Sequence, residues 1–515
     1  MLKLLFVSPV SACFEMVGDT PYYAPDVYDI LLNGEIIIKN KLENVFSLYD
    51  LVPDTKYTVS VNEDVVTFRT DAVSQTLNVV DFGAVADGVN YDTNAIQSAI
   101  NACSAGGMVV VPKGDYKILP LSLKSDITLY LKDGAHLIAE TDPKKYPIIP
   151  GYITDENGKE KPYSSWEGEI MPAYQSVLSG QSVKNVKVVG LGIIDGNAQN
   201  GPWWQKEFVF TRVTARPRVI YLNDCKNCYF HGVTAQNGAT WNVHPFFSED
   251  LGFYDLRINA PKNSPNTDGL NPDGCDRVEI IGCVFSTGDD CIAIKSGVRP
   301  LAEKYKRSAN NYTIRNCFMR FGHGSVVLGS EASGGVKNLT VSHCYFKETD
   351  RGLRIKTRRN RGKLAVIDGI EFSNIKMSGV LTPFVVGMFY ACGEEGKEEY
   401  VRSRKPYPVD DSTPYLGEFT FKNIDCVDCE VCAGYFDGLP ERPIKKIVIE
   451  NVSVAFKTDA RKDMPEPATV DAPFLSRAGF YFDGVESAVL KNVKLINVDG
   501  QEIIRKNCDK VEVLQ

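Results

Sequence analysis

The chain lacks a long hydrophobic run. Nowhere in its 515 residues does an apolar stretch approach the ~18 that cross a bilayer, which excludes a transmembrane helix. It also lacks an excess of positive charge. The net charge of −8 argues against nucleic acid as a partner, and makes an anionic ligand unexpected unless basic residues are gathered where it binds. Missing too are the Cys/His pairs at finger spacing that would complete a zinc site around Cys225/Cys228 or Cys426/Cys429/Cys432. Most of the 14 cysteines, such as Cys283, Cys317 and Cys344, stand at apolar strand positions where Cys serves as a small buried hydrophobe. That usage fits a reducing compartment, so the expected location is cytoplasmic, with no metal and no cofactor. What remains is a soluble globular composition, 43% hydrophobic and 24% charged, with a mean hydropathy of −0.16.

Residues 1–13, MLKLLFVSPVSAC, imitate a secretion signal, and Val10-Ser11-Ala12-Cys13 even looks like a lipoprotein cleavage site. The apolar run is short and broken by Pro9, so a first β-strand is the favoured reading, with secretion left open. Residues 1–72 read as a small all-β module, with alternating stretches (Asp29–Leu32, Tyr57–Val61, Val65–Phe68) and a turn at Asn33-Gly34. The stretch from Leu51 through Pro53 and Tyr57 to Val59 resembles the best-marked part of a fibronectin type III domain, although the early Trp usual there is absent. Such a sandwich needs its first strand.

After a polar link, Asp92 is a natural helix N-cap, and Ile96, Ala99, Ile100 and Cys103 fall on one face of a helix over about 92–103. This helix is expected to cover the open end of the repeating region beyond it. In that region an apolar-x-apolar strand recurs, with first positions at Val186, Cys228, Leu251, Val278, Tyr312, Leu339, Ile370, Phe419, Ile447 and Ala488. Steps of that size without helical periodicity predict a parallel β-helix over residues 77–515. The fold class is therefore all-β: a right-handed parallel β-helix preceded by a small β-sandwich.

Counted from those marker strands, Asp268, Asp290, His323 and Lys356 all fall on the segment after the marker, in four consecutive rungs. Rungs stack ~4.8 Å apart, so the motifs are expected to form one polar stripe. Glycoside hydrolysis needs one protonated carboxyl for the leaving oxygen and a second carboxylate for water, and crowded acids raise the pKa of at least one member. Arg354 and Lys356 alternate with Ile355, so both point to one side of a strand, where Arg and Lys can hold carboxylates.

The ordered set Asn266-Thr267-Asp268, Gly288-Asp289-Asp290, Gly322-His323-Gly324 and Arg354-Ile355-Lys356 resembles the polygalacturonases, glycoside hydrolases of the pectin-degrading family 28 type. The resemblance covers about residues 78–500. It implies cleavage of α-1,4 bonds in galacturonan with inversion, Asp289 as general acid, and Asp268 and Asp290 activating water. His323 would tune the acid, and Asn266, Arg354 and Lys356 would bind substrate. Weaker candidates resembling bacterial exo-acting members are His244, Glu331, Asp273 and Cys275. Tyr390 is placed near the sugar, and Trp203, Trp204 and Trp241 either stack on sugar or pack in the core. The expected partner is polygalacturonate or its oligosaccharides. Alternatives are a hydrolase of rhamnogalacturonan or xylogalacturonan, a calcium-dependent pectate lyase, and a non-catalytic carbohydrate-binding solenoid. An aromatic-rich insertion between about 127 and 186, with Tyr146, Tyr152, Tyr163 and Trp166, is expected to close one end of the cleft, together with the N-terminal module, and so favour exo attack.

Overall fold

The computed structural model describes residues 1–155, 157–210 and 213–514. The first seven strands are β1 (Leu2–Val7), β2 (Ala12–Met16), β3 (Tyr23–Leu32), β4 (Glu35–Glu43), β5 (Val45–Leu48), β6 (Lys56–Val61) and β7 (Asp64–Arg69). They form two antiparallel sheets, ordered β1-β2-β5 and β4-β3-β6-β7. Asn33 and Gly34 both adopt positive φ, which closes the β3–β4 hairpin in the turn that suits strand twist. Tyr57 buries its ring and accepts a hydrogen bond on its hydroxyl from the Val52 amide at 2.9 Å, fixing the corner before β6. Residues 2–7 are strand and Cys13 is fully buried, so this segment belongs to the folded module.

Helix α1 (Thr93–Ala102) buries Ala95, Ile96, Ala99 and Ile100 against the first rungs. Asp92 stands at its N-cap position, but its carboxylate accepts from the Val85 and Ala86 amides and not from the helix. Beyond it the chain winds as a parallel β-helix. The marker strands pair in the expected register: Val186 with Cys228, then Leu251, Val278, Tyr312, Leu339, Ile370, Phe419, Ile447 and Ala488. Parallel pairing without slippage follows from their inward residues, which repeat one apolar column up the core. Cys225, Cys228, Cys426 and Cys429 lie in that column as small core residues. Rung corners carry Asn in the left-handed conformation, and the amides of Asn374, Asn423, Asn451 and Asn492 bond in a ladder.

The N-terminal module docks on the outer face of the marker strands. Phe6, Val10, Cys13 and Val45 pack on Met108, Val110, Tyr130, Val189, Tyr254 and Ile281. Glu15 forks onto Arg315 at 2.6 and 2.9 Å. Ser11 and Ser47 each hold one nitrogen of buried His231 at 2.9 Å. This face is not the one that carries the acidic motifs, so the module is no part of the cleft wall.

Candidate active site

The motifs lie on a second parallel sheet, through strands β8 (Ile220–Asn223), β9 (Val243–Phe246), β10 (Ile292–Ile294), β11 (Val326–Gly329) and β12 (Arg351–Lys356). Ile292, Ile294, Val326, Leu328, Leu353 and Ile355 face the core, which turns Lys295, Arg354 and Lys356 outward. Asp268 and Asp290 each stand just before this sheet, joined through the Gly269 amide donating to the Asp290 carbonyl. The Cys291 amide donates in turn to the Gly324 carbonyl. The stripe is not straight. Asp268 and Lys356 follow their marker residues, Leu251 and Leu339, by the same count, yet extra residues before Asp268 lengthen its rung, and Lys356 lies at the far end of β12. Its long side chain reaches back, placing Nζ 2.8 Å from Asp290 Oδ2.

The acids are held tightly. Asp290, almost fully buried, also meets Arg354 Nη1 at 3.4 Å. Asp289 is the most open of the three, with 23% of its side chain exposed, and lies 3.3 Å from His323 Nδ1. Its Oδ1 accepts the Asp290 amide. Asp268 accepts from Asn271 Nδ2 at 2.8 Å. Burial, with Asp289 and Asp290 close by, pushes the Asp268 carboxyl well above the ordinary range. Burial would raise Asp289 too, but the His323 hydrogen bond and charge, with Lys356 and Arg354, hold it at about 2. The bond to Asp289 lifts His323, against burial, to about 9. Crowding thus raises one carboxyl as expected, and that carboxyl is Asp268. Asp289, the acid by resemblance, forms an ion pair with imidazolium.

The other candidates divide. Asn266 accepts from buried Arg216 at 2.7 Å and so frames the Asp268 turn. Glu331 is ion-paired with Lys295 at 2.8 Å. Tyr390 sits over Lys356, its ring centroid 5.8 Å from Nζ. His244 is fully enclosed between Trp241 and Tyr221, 3.9 Å from Asp273, and presents no surface to a cleft. Cys275 is likewise in the core. Trp203 packs among Tyr146, Tyr174 and Phe208. In the run Arg354–Arg361, Arg359 is structural: it forks onto Glu441 and donates to the carbonyls of Tyr400, Ser403 and Lys405.

The insertion folds as three small antiparallel pairs, Ile148–Ile149 with Ala173–Tyr174 enclosing two hairpins, Tyr152–Thr154 with Glu160–Pro162 and Ser165–Trp166 with Glu169–Ile170. It lies over the outer face of β8 and β9: Tyr221 donates to the Tyr163 carbonyl and Arg218 to that of Ser165. Trp166 stacks near Trp241 at 4.5 Å, and Trp241 in turn lies under Lys295. Gly168 sits so close to Val298 and Glu331 that a Cβ there would stand 3.0 Å or less from both.

Sequence reasoning missed three residues. Lys295 could have been found, since Ile292-Ala293-Ile294-Lys295 alternates as Arg354-Ile355-Lys356 does, and the two lysines share a column. Buried Arg218 and Glu466 carry no local signal. Glu466 grips Arg354 with two hydrogen bonds, 2.6 and 2.8 Å, from far along the chain.

The fold agrees with that of known proteins. Residues 103–404 match the model of glycosyl hydrolases family 28. A probable polygalacturonase of Vitis vinifera is 30% identical over 393 residues, 75% of each chain. An exo-poly-alpha-D-galacturonosidase of Dickeya chrysanthemi is 28% identical over 412 residues, covering 72% of this chain and 65% of that protein. The structure of a family 28 exopolygalacturonase of Yersinia enterocolitica superposes with a TM-score of 0.75 at 20% identity, covering 100% of this chain and 98% of that one. With a family model spanning most of the β-helix and the ordered acids, histidine and Arg-Ile-Lys strand in one cleft, this chain is a glycoside hydrolase belonging to glycosyl hydrolase family 28.

Proposed function

We propose that the enzyme hydrolyses α-1,4-galacturonosyl bonds from the non-reducing end of galacturonate oligosaccharides, inverting the anomeric centre. The observation that carries the exo mode is the insertion, which packs over β8 and β9 up to Trp241, Lys295 and Glu331. A sugar chain entering past the acids meets this wall, so its non-reducing end lies here and later units extend toward Arg354.

Asp289 is the general acid in this reading because it is the carboxyl open to the cleft. The His323–Asp289 pair holds one proton; moving it from Nδ1 to Oδ1 gives neutral imidazole and a carboxylic acid. A bound sugar that excludes water weakens the ion pair and favours that neutral form. Asp289 then protonates the glycosidic oxygen, whose bond to the anomeric carbon breaks so that the reducing-side sugar leaves as an alcohol. Asp268, kept protonated, holds the water, and Asp290 takes its proton as oxygen bonds to the anomeric carbon. The small module is proposed to be of the fibronectin type III kind, on the support of its strand order and its tyrosine corner.

The test is time-resolved product analysis on tri- to hexagalacturonate, with polymer viscosity followed against new reducing ends. Release of mono- or digalacturonate with slowly falling viscosity is expected. Mid-sized first products with a fast early fall would show a groove open at both ends.

A further inference from the structure

Most buried cations around the cleft are committed to partners. Arg354 bonds Glu466 and meets Asp290, and Lys356 bonds Asp290. Lys295 bonds Glu331, Arg359 forks onto Glu441, and Arg351 donates to the Pro465 carbonyl. Arg358 donates to the Cys392 carbonyl and, at 2.8 Å, to Glu395. Arg361 differs, because its guanidinium makes no hydrogen bond among the described residues. Its Nε is buried without a partner. Glu395, 3.9 Å from Nη1, is half exposed and already holds Arg358. Only 4% of the Arg361 side chain remains exposed. Burial, then the nearby Arg358 charge, lower it to about 10, so it stays a cation at neutral pH. A buried cation without bonded acceptors is costly, and an entering carboxylate would answer it with two parallel hydrogen bonds.

Its neighbours set where that carboxylate belongs. Arg361 lies within electrostatic reach of Glu331 and Tyr390, and Tyr390 in turn sits over Lys356, which puts the guanidinium at the cleft. Glu331 accepts from Lys295 and from the Ser330 hydroxyl, both at 2.8 Å, and the insertion tip at Gly168 packs against it. Burial would raise Glu331, but Lys295 and then Arg361 hold it well below the ordinary range. An ionised Glu331 keeps Lys295 occupied and repels a second carboxylate. A galacturonate stopped by the insertion therefore finds its open cation in Arg361. Arg354 and Lys356 stand on the side toward which later units extend.

Building on the hydrolase reading, we propose that Arg361 determines specificity for the terminal galacturonate at the walled, non-reducing end of the cleft. Its guanidinium grips the carboxylate of that unit, and Glu331 excludes the same carboxylate from the Lys295 side.

The experiment compares trigalacturonate with two analogues, the first carrying galactose in place of the non-reducing galacturonate and the second in place of the reducing-end one. Wild type should favour trigalacturonate over the first analogue in kcat/KM by about a hundredfold. Arg361→Gln should cut that preference to about tenfold or less and leave the preference over the second analogue within about twofold. Arg361→Lys should recover part of the loss, since a point charge attracts without the two-bond grip. An unchanged preference in folded Arg361→Gln, or equal loss of both preferences, overturns the proposal. So does a wild type that cleaves the first analogue as well as trigalacturonate, and this measurement alone decides should Arg361→Gln fail to fold. Affinities of the three sugars for Asp289→Asn and Asp289→Asn/Arg361→Gln separate this from the hydrolase reading. A shifted affinity ratio without cleavage by wild type would sink that reading and sustain the role of Arg361. An unshifted ratio, or binding of none, overturns the role of Arg361.

Discussion

Two histidines lie wholly inside this molecule, and they live differently. His231, on the marker-strand face, is pushed down to about 3 by burial and has both nitrogens paired, to Ser11 and Ser47. His244, on the face of the acids, is also pushed down by burial, yet neither of its nitrogens has a partner among the described residues. The contrast extends outward. Around His231 the module and the rungs answer each other group by group. Around His244 stand Trp241, Tyr221 and Asp273, with the cations Arg218 and Lys295 nearby and polar atoms left without partners. One face is organised to stay together; the other, beyond the enclosed His244, keeps Asp289 and His323 open to solvent.

The largest effect should come from the face of the acids. Asp289→Asn is expected to lower turnover about a thousandfold or more, because an amide has no acid proton to give, with the melting temperature unchanged. Near wild-type steady-state rates in the purified variant would remove Asp289 from the chemistry. Arg354→Ala should cost about 3–5 kcal/mol of stability, since it strands Glu466 and weakens the hold on Asp290 in a buried site. Denaturant unfolding reads this directly, and a loss below that of an ordinary surface change would show the pair to be idle.

Smaller effects sharpen the comparison. His231→Ala should destabilise by about 1–3 kcal/mol by orphaning two serines, with kcat/KM unaltered. His244→Ala empties an enclosed site and should destabilise as well, but it should also lower kcat/KM by loosening Trp241 under Lys295. The same pattern in both variants would erase the distinction between faces. The mildest is a pH effect. His323 has a folded pKa above its unfolded one, so its contribution is fully present below about 6.5 and lost as pH rises through about 9. Activity should therefore show an alkaline limb near pH 9 that disappears in His323→Ala. A limb that survives the substitution would belong to another group.

Much of this was legible because a solenoid repeats. Cys228, Leu251, Val278, Tyr312 and Leu339 announce their pairing through one apolar column, and local alternation turns Arg354 and Lys356 outward together. What sequence could not reveal depends on chain returning from afar. Glu466 stands more than a hundred residues beyond Arg354, in a segment without periodicity. The burial of His244 comes from the insertion folding over β9, which its own neighbours do not encode. The motifs do gather as one stripe, but where each sits along it was not legible, because loops of unequal length enter between rungs and equal counting does not mean equal position.

The docking of the N-terminal module has a mechanical side. A solenoid whose rungs touch only their neighbours can unzip piecemeal from either end. Here a second body is latched along a span from Met108 to Tyr345, through Phe6 on Tyr254, Glu15 on Arg315 and Tyr23 on Tyr345. It acts as a splint, so those rungs should open as one cooperative block while the unsplinted strands beyond 478 fray earlier. Native-state hydrogen exchange would register this as a single opening energy across the splinted span, and uniform exchange along both halves would deny it.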